Sequence, residues 1–272
     1  MISAFAPGNV SCIFKIIDNK DKTKKHSLGV GFAVDKGVIV KAERAEKTKI
    51  YVNGKLMRFP TVDFVINTLT KKPIKVGIKD QLPSGAGFGI SGASAIAAAY
   101  AINKLLNLKK SKQELAMVAH LAEVTNGTGL GDVAGQFNGG FNMKIKKGKP
   151  LAGTSLRIEN KTIYYKFFSK LSTKKVINSK IKKIKINKSA DRALKRIKTL
   201  KVKNLQDIIR ISRDFAIESN LLKDKRVKEL IKCIENKGGN ASMIMLGNAV
   251  FSDTKFKDCK KVKISQKGAH LI

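Results

Sequence analysis

Apolar and polar residues alternate through the first eighty positions of this chain, at the two-residue period of half-buried strands. Strands are expected over Ile2 to Ala6 and Val10 to Ile17, parted by a turn at Pro7-Gly8-Asn9. Two more, Leu28 to Val34 and Val38 to Lys41, are parted by a hairpin turn at Asp35-Lys36-Gly37. Asn53-Gly54 is a stronger hairpin signal and joins Lys49 to Val52 with Leu56 to Phe59. Thr61 opens a short helix carrying Val62, Phe64 to Ile66 and Leu69, and Ile74, Val76 and Ile78 read as one more strand.

The period then changes. From about Gly92 to Asn107 the chain is apolar almost all round, the mark of a buried helix. Ser111-Lys112-Gln113-Glu114 is a capping box that starts a second helix, running to about Val124 and placing His120 and Glu123 one turn apart on one face. The connection into the first helix, Leu82-Pro83-Ser84-Gly85-Ala86-Gly87-Phe88-Gly89-Ile90-Ser91-Gly92-Ala93-Ser94, holds four glycines. A second glycine-rich loop, Asn126-Gly127-Thr128-Gly129-Leu130-Gly131-Asp132, follows the second helix, and Gly139-Gly140 leads into a strand through Phe141, Met143 and Ile145.

A surface turn over Lys146 to Gly153 marks the expected domain boundary, giving domains 1–152 and 153–272. Beyond it, Lys180 to Ile186 alternates lysine with isoleucine and is expected to be an amphipathic strand. Ala190 to Leu200, Leu205 to Leu222 and Val227 to Glu235 have helical spacing. After Gly238-Gly239-Asn240, a hairpin across Gly247-Asn248 and end strands at Val262 to Ile264 and Ala269 to Ile272 complete an α+β C-terminal part.

Composition narrows the classes. No apolar stretch reaches the roughly 20 residues needed to span a bilayer, and no basic leader precedes the first apolar residues, so a cytoplasmic protein without a membrane segment is expected. Cys12, Cys233 and Cys259 form no metal-ligand or disulfide pattern. The net charge is +35, which keeps an anionic partner in view, and a nucleic-acid-binding protein using the Lys-rich segment Arg157 to Lys203 is the alternative of a different class. Lysine outnumbers arginine there and few aromatics interleave it, which fits a solvated surface or nonspecific binding better than base reading.

The glycine loops carry the candidate chemistry. Gly87 to Gly92 formally matches G-x-G-x-x-G, but a capped helix replaces the second strand and ribose-binding acid that a dinucleotide site requires. No Lys-Ser or Lys-Thr closes the run, so it is no Walker loop either. Phosphoryl transfer fits better. It needs a backbone cradle for a triphosphate, oxygen ligands for Mg²⁺ and a residue that takes the acceptor proton. Ser91 and Glu123 supply the oxygens, Asp132 the base, and His120 is expected to face the same cavity; each of Glu123, His120 and Asp132 alone is equally compatible with an ordinary structural role.

Three segments together resemble the motifs of the GHMP kinases (galactose, homoserine, mevalonate and phosphomevalonate kinases). They are Ala6-Pro7-Gly8-Asn9-Val10, the loop Pro83 to Ala93, and Gly238-Gly239-Asn240-Ala241-Ser242. More narrowly, Gly87 to Ala93, the stretch from His120 through Glu123 to Gly131-Asp132-Val133, and Gly239 to Asn248 resemble the archaeal pantoate kinases. The resemblance implies an N-terminal α/β nucleotide-binding domain, a C-terminal ferredoxin-like domain, and often a homodimer. It implies ATP and Mg²⁺ as cofactors, with phosphorylation of pantoate at its primary hydroxyl for coenzyme A synthesis; homoserine or mevalonate is the alternative acceptor. Carried over by motif, Pro83, Gly85, Gly87, Gly89, Ser91 and Gly92 hold the phosphates, Ser91 and Glu123 the metal, and Asp132 is the base. Ser27, His120 and Lys144 fall where pantoate-binding residues are expected. Three positions depart from the pattern: Ile90-Ser91 replaces paired serines, Asn9 stands where many relatives have lysine, and Lys144 where arginine is expected.

Overall fold

The computed structural model describes residues 1–158, 161–171, 176 and 179–272; the remaining residues fall within the Lys-rich segment Arg157 to Lys203 and lie outside the description. The frame is a long antiparallel ribbon of β1 (Ile2–Ile17) and β2 (His26–Arg44). This corrects two expectations, since neither Pro7-Gly8-Asn9 nor Asp35-Lys36-Gly37 is a turn. Pro7 pairs with Gly37 and Gly8 with Val34, so Asp35 and Lys36 bulge out of a continuous strand opposite the Pro-Gly pair. Proline lacks a ladder donor and glycine lacks a Cβ, and the two together bend a strand at a bulge as readily as they end it.

β5 (Ile74–Asp80) lines the second half of β2, and β6 (Phe141–Lys144) lines its first half. With β3 (Lys49–Val52), β4 (Lys55–Leu56), β7 (Thr154–Leu156) and β12 (His270–Leu271) they form one sheet, ordered β12-β1-β2-β5-β3-β4, with β6 and β7 beside the first half of β2. The C-terminal end of the chain thus returns to pair with β1 at Ala4 and Phe5. Against this sheet lie α2 (Ile90–Leu106) and α4 (Asp132–Asn138), with α1 (Pro60–Leu69) and α3 (Lys112–Asn126) packed on α2. α2 is buried without interruption from Gly92 to Ile102, as its small apolar residues dictate. The capping box of α3 is formed in full, Ser111 accepting from the Glu114 amide and Glu114 from the Ser111 amide. The second glycine loop is shorter than expected, because Asp132 already stands in the first turn of α4.

The smaller sheet, ordered β11-β8-β10-β9, is built from β8 (Thr162–Ser169), β9 (Ala241–Met243), β10 (Asn248–Ser252) and β11 (Lys260–Lys263). In chain order this is 4-1-3-2, the ferredoxin-like arrangement. Its first crossover contains α5 (Lys180–Thr199), α6 (Leu205–Glu218) and α7 (Lys225–Glu235). Lys180 to Ile186 is therefore helix, not strand. Ile186, Ala190, Ala193, Leu194 and Ile197 share the buried face, while Ile181 and Ile184 are 81% and 71% exposed. The lysine-isoleucine alternation lasts less than two turns, and the three-and-four spacing beyond it sets the structure. Asn187 fastens this helix to the end of β1, its side chain accepting from the Ile16 amide at 2.8 Å and donating to the Ile16 carbonyl at 2.9 Å.

The two sheets are joined directly. Val34 bridges Ile264, the Ser265 amide donates to the Ala33 carbonyl at 3.0 Å, and Ser212 Oγ donates to the Cys12 carbonyl at 2.8 Å. Among the described residues no helix is long and apolar enough to cross a membrane.

Candidate active site

Between Asp80 and Ile90 the chain must turn from strand to helix in a few residues, and Gly85, Gly87 and Gly89 do so with φ of 80°, 87° and 63°. Gly89 is the N-cap of α2 and offers no side chain to its orphan amides. A Cβ there would lie 2.8 Å from Cβ of Asp132 and 2.9 Å from Nε2 of Gln136, so both conformation and space demand glycine. Among the described residues, the amides from Gly87 to Gly92 donate to no protein acceptor. Unpaired amides at the positive end of a helix make an anion cradle.

The cradle is held from three sides. The Asn9 amide donates to the Phe88 carbonyl at 2.9 Å, the Leu171 amide to the Gly85 carbonyl at 3.2 Å, and Gln136 Nε2 to the Gly89 carbonyl at 2.7 Å. The turn between β9 and β10 packs on the same loop: a Cβ on Gly87 would lie 2.7 Å from the Met245 carbonyl oxygen. This brings the third sequence motif against the second.

Glu123, in the last turn of α3, is 1% exposed. Oε1 accepts from Thr128 Oγ1 at 2.6 Å, and Oε2 has no partner among the described residues. Burial pushes this carboxyl up to about 7; the hydroxyl of Thr128 draws it down, the neighbouring charge of Asp132 pushes it up, and the hydroxyl of Ser91 draws it down. Gly129 packs directly against Oε2, where any Cβ would strike that oxygen. Asp132 lies alongside. Its Oδ1 accepts from Asn9 Nδ2 at 2.9 Å and from Ser11 Oγ at 3.3 Å. Burial raises its pKa, and those two hydrogen bonds moderate the rise.

Two cavities meet beside Asp132, which lines the larger one. The first, about 180 Å³, is walled by the cradle from Ser84 to Ser91, by Thr128 to Asp132, and by Phe59, Met245 and Leu246. The second, about 60 Å³, is walled by Asn9, Gly29, Asn138, Asn142, Lys144 and Gly153 among others. Ser11, Phe14, Ser27 and Gly131 line both. Lys144 Nζ donates to the carbonyls of Lys149 and Pro150, at 2.6 and 2.8 Å, and burial lowers its pKa to about 8.

The structure thus gathers Gly85, Gly87, Gly89, Ser91 and Asp132 around the larger cavity, with Glu123 buried behind Gly129 of its wall, Ser27 at the junction and Lys144 in the smaller one. Pro83 and Gly92 stand just outside the wall: the Pro83 carbonyl accepts from the Ala86 amide, and Gly92 is buried beneath the cradle. His120 stands apart from both cavities. It is 2% exposed, its Nε2 lies 2.9 Å from the Lys25 carbonyl oxygen, and burial lowers its pKa to about 4. Sequence reasoning missed Ser11, Thr128 and Gln136. Ser11 follows Asn9 at strand period, and Gln136 follows Asp132 by one helical turn, so pattern alone would have flagged both once β1 was taken as continuous and α4 as a helix.

Comparison with known proteins places the chain in a family. Residues 56–140 match the model of the GHMP kinases N terminal domain. The chain is 31% identical to the pantoate kinase of Methanocaldococcus jannaschii over 256 residues, covering 92% of each chain. It is 29% identical to the pantoate kinase of Thermococcus kodakarensis, covering 97% of this chain and 91% of that one. Among solved structures, a phosphotransferase related to the CoA biosynthesis pathway superposes with a TM-score of 0.85 at 23% identity, covering 99% of this chain and 98% of that one. The homoserine kinase of Cytophaga hutchinsonii superposes with a TM-score of 0.70 at 20% identity, covering 100% and 97%.

Proposed function

This chain belongs to the GHMP kinases, beside the archaeal pantoate kinases, and from that premise we propose that it transfers the γ-phosphoryl group of ATP to the primary hydroxyl of pantoate, yielding 4-phosphopantoate and ADP for coenzyme A synthesis. The observation that carries the reading is the seam between the cavities. An anion cradle of free amides opens beside Asp132, and across Ser11, Ser27 and Gly131 it adjoins a small cavity holding the half-buried ammonium of Lys144.

Each group has a role that its surroundings support. The cradle amides and the head of α2 bind the phosphates and hold them in register. Mg²⁺ favours hard oxygen ligands, and Glu123 Oε2, buried and unpartnered, fits that need together with the Ser91 hydroxyl. When bound, the ion supplies charge neutralisation for the β- and γ-phosphates. Asn9 and Ser11 occupy Asp132 Oδ1, leaving Oδ2 to orient the acceptor hydroxyl and receive its proton. Asn9 is neutral where many relatives have lysine, so no ammonium weakens this base. Lys144 receives the acceptor's carboxylate, and Ser27 its hydroxyl region. We take His120 as support for the β2 end of the acceptor cavity rather than a contact. The working form is a cytoplasmic homodimer, and any affinity of the Lys-rich surface for nucleic acid is salt-labile and separate from catalysis.

The test is ADP release from purified protein with ATP, Mg²⁺ and a panel of pantoate, homoserine and mevalonate. Pantoate-dependent ADP is the expected result. ADP with another acceptor alone overturns the acceptor, and none with any acceptor overturns the kinase.

A further inference from the structure

One turn beyond Asp132 on α4 stands Gln136, 0% exposed. Its Nε2 donates to the Gly89 carbonyl at 2.7 Å, while Oε1 has no partner among the described residues. Buried side-chain oxygens are nearly always paired, so an orphan marks a constraint from elsewhere. A second orphan, Glu123 Oε2, lies close by. A Cβ on Gly92 would sit 2.8 Å from Gln136 Oε1 and 3.3 Å from Glu123 Oε2.

The geometry explains why α4 approaches so closely. Asp132 and Gln136 share one helix face, and both meet the first turn of α2 where residues 89 and 92 lack a Cβ. From its other side α4 is braced by the end of the chain, the Ala269 amide donating to the Gln136 carbonyl at 2.8 Å. Gly89 is the left-handed cap that aims the following amides at the cavity. Its carbonyl is the handle by which that aim can be fixed.

We propose that Gln136 is a positioning residue of the phosphate cradle, its amide pinning the Gly89 carbonyl so that the head of α2 keeps a set distance from Asp132 and Glu123. It acts through Gly89 rather than by touching substrate. The inference rests on the kinase reading above, but concerns nucleotide binding alone and does not depend on which acceptor is used.

The experiment titrates the full chain with a fluorescent methylanthraniloyl ATP, with Mg²⁺ and again in EDTA, and measures pantoate binding separately by calorimetry. Gln136→Met keeps the volume of the side chain and removes its donor. We expect nucleotide affinity to fall about tenfold or more, equally in EDTA because the cradle is backbone, with pantoate affinity within about twofold of the parent; tenfold is the free energy of one modest hydrogen bond. Gln136→Leu, which likewise has no donor, should show the same signature and serves if the methionine variant does not fold. Unchanged nucleotide affinity overturns the proposal. So does an equal loss for both ligands, which denotes a general structural role, or a loss seen only with Mg²⁺, which places the amide at the cation. A parent protein that binds no nucleotide would instead sink the kinase reading.

Discussion

The two cavities that meet beside Asp132, at Ser11, Ser27 and Gly131, differ in what their walls add to glycine. The larger is a surface of main-chain amides exposed by glycines, and its shape depends on side chains being absent. The smaller is lined by as many glycines, but adds the polar side chains of Lys144, Asn142, Asn138 and Asn9 around a volume about one third as large. Amides at a helix head recognise phosphate whatever is attached to it. An ammonium and three amide groups in a narrow space recognise one arrangement of oxygens. On the proposed function, the cradle holds the nucleotide with backbone and the side chains of the smaller cavity select the acceptor. Substitutions should divide accordingly: added atoms damage the first half, and removed functional groups damage the second.

The largest effect is expected where the halves join. Asp132→Asn keeps the shape and can still accept from Asn9 and Ser11, but it cannot take a proton. It should lower kcat by about 10²-fold or more, on the usual scale of general-base catalysis, with both KM values little changed. Steady-state kinetics with each substrate varied in turn would show this. A kcat near that of the parent would leave the seam as a geometric boundary with no chemistry of its own.

Lys144→Ala comes next and tests the acceptor half. Loss of a charge-assisted hydrogen bond should raise KM for pantoate about tenfold or more, while KM for ATP stays within about twofold. The variant also releases the carbonyls of Lys149 and Pro150, which Lys144 now holds. A shift in the ATP value would mean that this loop supports both cavities, and the division of labour would fail.

The same division governs what could be read from the sequence. The first glycine run, a capping box and Asn53-Gly54 are local devices whose meaning does not depend on distant partners, and each forms as expected. Pro7-Gly8 and Asp35-Lys36-Gly37 have the composition of turns, and only their pairing with each other makes them bulges. Lys180 to Ile186 fits two periods until the buried residues through Ile197 are counted with it. At the site, the cradle was legible because absence of side chains is written directly in the sequence. His120 was not, because its burial against Lys25 depends on how β2 starts and α3 ends. Gln136 was hidden by the missed helix α4, since without the helix it has no fixed relation to Asp132.

The smallest expected effect is also the sharpest test of the contrast, because the halves should titrate in opposite directions. A carboxyl such as that of Glu123 can ligate a cation only when ionised, and burial pushes its pKa up to about 7. Apparent Mg²⁺ affinity should therefore rise up to about tenfold per unit as pH increases toward 7, then level off. Lys144 binds a carboxylate only as the ammonium, and burial brings its pKa to about 8. Pantoate affinity should be flat at lower pH and fall as pH rises through 8. Measured separately across this range, the two constants give one rising and one falling limb, and kcat/KM peaks between them. Glu123→Gln should abolish the first limb only, and Lys144→Ala the second only. If both limbs appear in the binding of a single ligand, the two carriers of charge belong to one site, and the partition into backbone and side-chain halves is wrong.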